Sequence, residues 1–169
     1  MRIEDQPEGM IVILSLKDAD VIYEIINQAA CAYASVIPDD CFHKPYMPKE
    51  ELHREMESMT FFGWEKIGKL IGVMGFQPFR DVTLLRHAYV LPDYQGKGIG
   101  TRLLSHLKCI TKTKYLLVGT WADATWAINF YKKHGFEFML DKDTLLEKYW
   151  DIPQRQIETS VVLGIKAEQ

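Results

Sequence analysis

Three glycines in five positions, Gly96, Gly98 and Gly100, stand between an apolar run that ends at Val90 and a leucine-rich run that ends at Ile110. Glycines let a backbone approach a ligand closely and turn its N–H groups toward one point. Where such a loop opens a helix, the positive end of the helix dipole adds to those donors. A diphosphate would meet both features together, with Lys97 beside them. Spacing excludes the two common nucleotide loops. A P-loop requires Ser or Thr after its lysine, and Lys97 is followed by Gly98; G-x-G-x-x-G started at Gly96 meets Thr101, and started at Gly98 it meets Leu103.

Other residues carry chemistry by type. Arg86 stands in an apolar strand and needs an anionic partner, either an ion pair within the fold or a carboxylate on a substrate. His87 follows it and faces the opposite side of a regular strand, unless a β-bulge turns it round. The proline-rich loop from Ser35 to Pro48 holds Asp39, Asp40, Phe42 and Tyr46. Paired carboxylates walled by rings suit a cationic amine, although residues such as Asp39 and Asp40 more often serve a turn, a cap or the solvated surface. Cys41, His43 and His53 fall short of the four ligands of a structural zinc site, so no metal is expected. Ser105 lacks the G-x-S-x-G setting of a nucleophile. Trp121 and Trp150 are read as core or pocket wall.

Gln95-x-x-Gly98-x-Gly100, preceded by Val90-x-Pro92, resembles the acetyl-CoA signature of the GCN5-related N-acetyltransferase (GNAT) superfamily. Further on, the segment from Trp126 to Phe136, which contains Tyr131-x-x-x-Gly135-Phe136, resembles the second motif of that family. Together the two cover about residues 60 to 140 closely. The resemblance implies acetyl-CoA as cosubstrate, with its pyrophosphate on the backbone of Gln95, Gly96, Lys97, Gly98, Ile99, Gly100 and Thr101. It implies that the strand end, Tyr89, Val90 and Leu91, pairs with the pantetheine arm and holds the thioester carbonyl. Tyr131 matches the proton donor to the departing sulfur. The positions where relatives often carry a basic Glu or His hold Leu84 and Arg86, so the base is either His87, if a bulge turns it round, or an ordered water chain or a residue from another loop. The asparagine of many relatives is Ala124 here. The implied activity is transfer of an acetyl group to the amine of a small molecule by direct attack in a ternary complex. A peptide acceptor and a non-catalytic acyl-CoA sensor are the alternatives, and Arg86, Asp39, Asp40 and Tyr46 are the candidate acceptor-binding residues.

The elements that must position these residues follow from hydrophobic pattern. Strands are predicted over Met10–Leu14, Phe61–Lys66, Leu70–Phe79, Val82–Val90, Tyr115–Thr120, Phe136–Leu140 and Ile157–Ile165. Helices are predicted from Lys17, with Val21, Ile22, Ile25, Ile26, Ala29 and Tyr33 on the buried face, and over Lys49–Met59, Gly100–Ile110, Ala122–His134 and Asp143–Trp150. Mixed order without strict alternation predicts an α/β (mixed α+β) fold, a mostly antiparallel central sheet flanked by helices, which is also the GNAT fold. With 169 residues and no linker, the chain reads as one domain with a flexible segment at residues 1–9. Twenty basic against 23 acidic residues, a net charge of −3, exclude a strongly basic surface for nucleic acid or anionic membrane. Three widely spaced cysteines and no apolar span predict a reducing, cytoplasmic setting. A monomer and a homodimer both remain open.

Overall fold

The computed structural model describes residues 8–168, so the expected flexible tail falls, over residues 1–7, outside the described residues. One sheet of seven strands organises the rest, in the order β1-β2-β3-β4-β5-β7-β6. The strands are β1 (Met10–Ile13), β2 (Thr60–Lys66), β3 (Lys69–Phe79), β4 (Val82–Val90), β5 (Tyr115–Trp121), β6 (Glu137–Phe138) and β7 (Ser160–Lys166). All neighbours pair antiparallel except β4 with β5, whose connection passes through a helix. Parallel neighbours need such a crossover, whereas β2, β3 and β4 follow one another through tight turns.

The helices are α1 (Ala19–Ala30), α2 (Lys49–Glu55), α3 (Ile99–Ile110), α4 (Thr125–Lys133), α5 (Lys142–Tyr149) and α6 (Gln154–Glu158). They cover both faces of the sheet because successive strand residues point to opposite faces. Leu85 and Leu116 join Leu103, Leu104 and Leu107 of α3 and Ile128 of α4 in one core cluster. Phe61 and Val73 pack against Ile22, Ile26 and Leu52 of α1 and α2 in another. Leu84 and Leu117 pack with Leu146, Tyr149 and Ile157 of α5 and α6 in a third.

The strand–helix order agrees with the sequence reading, and the departures have local causes. Val21 is 47% exposed, because the buried stripe of α1 narrows to Ile22, Ile25, Ile26 and Ala29. Helix α2 stops at Glu55, where the chain turns to deliver Met59 and β2 to the sheet. Strand β6 is only two residues long. Ile157 is buried in α6 rather than in the last strand: Pro153 opens a short helix that apolar periodicity alone does not distinguish from a strand.

Between β3 and β4 the register slips. Val73 lies opposite Tyr89 and Gly75 opposite Arg86, so His87 and Ala88 together face Met74. This is a β-bulge, and His87 takes the left-handed backbone conformation, φ 53°, at it. Gly75 allows the close approach: a Cβ there would lie 2.7 Å from the carbonyl oxygen of Arg86 and 3.0 Å from the sulfur of Met59. Gly75→Ala therefore is expected to destabilise the protein by about 1–3 kcal/mol, seen as a lower urea midpoint at unchanged slope.

Candidate active site

Strands β4 and β5 pair only from Val82↔Tyr115 to Leu85↔Val118. Beyond that rung the bulge carries β4 away, although β3 still holds β4 as far as Val90 and β7 holds β5 as far as Trp121. The two facing edges part around a cleft of about 580 Å³, lined by residues of both strands, α3, α4 and the segment after α1.

The glycine loop closes one end. Gly96 and Gly98 have φ of 76° and 83°, the left-handed region that favours glycine, and Gly98 is the N-cap of α3. Among the described residues, no backbone amide from Gly96 to Thr101 donates to a protein acceptor; the first helical bond is Arg102 N–H to Gly98 O, 3.0 Å. Those amides and the helix dipole form an anion site. The Gln95 side chain ties the loop to the strand by donating to Val90 O at 3.0 Å. Thr101 bonds His134 Nε2 at 3.1 Å and so links α3 to the C-terminal end of α4. Burial, with Lys108 and Lys133 nearby, holds His134 below its ordinary pKa.

Aromatic residues wall the remainder. Tyr33 meets Tyr89 and Trp126 edge-on, at 5.9 and 5.0 Å between ring centroids. Trp121 Nε1 donates to the Tyr46 hydroxyl at 3.3 Å. Tyr131, on α4, is buried between Phe130 and Phe136 and lines the cleft. Burial pushes the Tyr131 hydroxyl well above its ordinary pKa, with Tyr33 adding to the rise. Burial likewise pushes Tyr33 up to about 12 and Tyr89 well above the usual range. These hydroxyls are protonated throughout the neutral range and act as hydrogen-bond donors.

At the bulge stands a charged group that no sequence motif announces. Glu55, the last residue of α2, accepts from Arg86 Nη2 at 3.0 Å and contacts His87 Nε2 at 2.5 Å. Arg86 also donates to Gln77 Oε1 at 3.3 Å, and the His87 ring stacks on Phe61. Burial alone would raise the Glu55 carboxyl; His87 and then Arg86 outweigh it and leave the carboxyl below its ordinary value. The anionic partner that Arg86 requires is therefore inside the fold. Sequence reasoning missed Glu55 because it lies 31 residues from Arg86, on a helix that reads only as amphipathic.

The cleft brings together Arg86, His87, Tyr89, Val90, Gln95, Gly96, Gly98, Ile99, Gly100, Thr101, Tyr131 and Tyr46. Of the expected site residues, Leu91, Lys97, Asp39 and Asp40 do not line it. The Leu91 backbone is bonded within the fold, its N–H donating to Ile71 O and its O accepting from Tyr94 N–H, each at 2.9 Å. Neither Asp39 nor Asp40 lines the cleft; Asp40 is exposed and pairs with Arg155 Nε at 2.8 Å. The Lys97 side chain lies over the Tyr94 ring, 5.5 Å from its centroid. Among the described residues no helix is long and apolar enough to cross a membrane, and no cluster of His, Cys, Asp and Glu has the make-up of a metal site.

A glycine loop at a helix N-terminus, beside two parallel strands that part, suits an anionic ligand that carries an extended arm. Residues 57–138, from just before β2 to the end of β6, match the family model of the acetyltransferase (GNAT) domain, and the chain belongs to the GNAT acetyltransferases. Solved structures extend the likeness of fold over most of the chain. The ribosomal-protein-S18-alanine N-acetyltransferase of Escherichia coli is 20% identical, with a TM-score of 0.71 over 96% of each chain. The PaiA N-acetyltransferase of Thermoplasma acidophilum, in complex with coenzyme A, is 21% identical with a TM-score of 0.71 over 93% of this chain and 99% of its own. A GNAT family acetyltransferase from Elizabethkingia anophelis with acetyl-CoA bound is 21% identical with a TM-score of 0.63, over 95% and 99%.

The Glu55 group makes a pH-dependent contribution to stability. Its folded-state pKa is depressed, so the stabilisation is present above the ordinary value of 4.5 and is lost as pH falls through the folded value. Glu55→Gln is expected to lower stability by about 1–3 kcal/mol at pH 7 and to flatten the acid limb of a Tm-against-pH curve between roughly pH 5 and 3. A wild-type acid limb retained in the variant would assign that limb to other carboxylates.

Proposed function

We propose that the protein is an acetyl-CoA-dependent N-acetyltransferase acting on the amine of a small molecule. The observation that carries this reading is the set of free amides from Gly96 to Thr101 at the N-terminus of α3, placed at the end of the opening between β4 and β5. A diphosphate supplies the acceptors those donors lack, and an extended pantetheine arm suits an unpaired strand edge. Acetyl-CoA supplies an activated thioester whose acetyl carbon bonds to the amine nitrogen as its bond to sulfur breaks.

The chain's own residues then manage two protons. His87 accepts the one that the amine loses, and Tyr131 gives one to the departing sulfur, whose thiol has a pKa near 8.5. Glu55 accepts from Nε2 of His87 and so holds the ring with Nδ1 as the nitrogen that takes the proton. The left-handed backbone at His87 is strain of the kind that collects at functional sites. The phosphate loop and Tyr131 stay in register because Thr101 on α3 is bonded to His134, just past the end of α4.

Calorimetric titration is expected to give selective one-to-one binding of acetyl-CoA, with no comparable binding of ATP or NADH; failure to bind acetyl-CoA would sink the reading. Tyr131→Phe is expected to lower kcat by about 10²-fold or more while leaving acetyl-CoA affinity within a few-fold. An unchanged kcat would remove Tyr131 as proton donor. Binding without consumption by any amine would favour the sensor alternative.

A further inference from the structure

Building on that reading, we infer that the acceptor is a monoamine carried on an aromatic or bulky apolar body, and that polyamines and other dications are rejected. Helix α4 gives the scale. Its C-terminal end is fixed to the phosphate loop by Thr101 and His134, and Trp126 stands near its other end, roughly 12 Å away along the axis. Tyr131 lies between them. The part of the cleft remote from the phosphate loop is therefore the part around Trp126, and its wall is aromatic: Tyr33, Tyr46, Tyr89, Trp121 and Trp126 line it, with Trp150 at the side of α5.

The charges there decide the ligand. Among the described residues, no Asp or Glu lines the cleft. Glu55 lies behind Arg86 and His87, and its negative charge is paired with the Arg86 guanidinium at 3.0 Å. Asp39 and Asp40, the carboxylates best suited by sequence to a cation, stand outside. A second ammonium group on the acceptor would lose its hydration with no counter-anion to replace it, which is costly in a partly enclosed site. One amine is tolerated because aromatic faces attract a single cation and because it gives up its proton at His87. An aryl body stacks edge-on against the tyrosines and Trp126 as they already do against each other. Trp126 is 44% exposed in its present setting, so its ring has surface to give to a ligand.

The test compares 2-phenylethylamine with 1,4-diaminobutane, read both as thiol release at saturating acetyl-CoA and as calorimetric binding to the protein saturated with coenzyme A. The expected result is a kcat/KM at least about tenfold higher for the aryl monoamine. Trp126→Ala is expected to raise KM for 2-phenylethylamine by roughly tenfold with kcat little changed. Equal or better use of the diamine overturns the inference while leaving the transferase reading intact. An unchanged KM in both Trp126→Ala and Tyr33→Leu, each shown to be folded by circular dichroism, overturns it too, as does failure of 2-phenylethylamine to bind. Binding of 2-phenylethylamine alone, without thiol release, supports the acceptor class and removes the transferase reading.

Discussion

The parallel pairing of β4 with β5 ends at Leu85↔Val118, and the site depends on that ending. Each strand is still held on its outer side, β4 by β3 and β5 by β7, so neither collapses into the gap. Two extended edges are thus presented to each other at a distance too great for mutual bonds. Backbone groups left in that state are costly unless water or a ligand satisfies them. The bulge at His87 is what diverts β4, and it exists because Gly75 lets the two backbones come close where a side chain would collide. A change of one residue in register therefore turns a continuous sheet into a binding cleft.

The same bulge concentrates charge. In a regular strand Arg86 and His87 point to opposite faces; with one extra residue they both reach Glu55 on α2. One carboxylate between two nitrogen bases is a satisfied group, which is why a charged cluster with little solvent exposure is tolerated beside an apolar core. It also ties α2 to the strand that bears the site. The geometry of the bulge, the orientation of the histidine and the withdrawal of the Glu55 carboxylate from the cleft lining are one arrangement seen from three sides.

Local pattern carried far in this chain. The β-branched and aromatic runs of β1 to β5, the glycine loop and the helix from Ile99 to Ile110 are each set by nearby residues, and they are where the sequence places them. The loop was legible because glycines at a helix start serve few other purposes. What was not legible depends on distant partners. Nothing within ten residues of Glu55 indicates that it meets β4, and the turn that sends Asp40 to Arg155 crosses 115 residues of sequence. Strand β6 was overestimated because Phe136, Phe138 and Leu140 alternate like a strand, although only Glu137 and Phe138 pair in register with β7 and Met139 N–H adds a single bond to Val162 O. Arg86 lay between these cases: its need for an anion could be read, but the identity of the anion could not.

The tyrosines show why burial and function point the same way here. Tyr33, Tyr89 and Tyr131 are weaker acids than free tyrosine because the cleft wall denies water to their phenolate forms. That keeps each protonated, and so a dependable hydrogen-bond donor, at any neutral pH. A donor of this kind has little effect on a neutral thioester but stabilises negative charge as it develops on sulfur, where the exclusion of water strengthens the interaction. In the proposed role as donor to sulfur, Tyr131 therefore need not have a pKa near neutrality to discriminate between the ground state and the transition state. It needs a fixed position and a dry setting, and the packing of Phe130 and Phe136 around it, on a helix anchored to the loop through His134, supplies both.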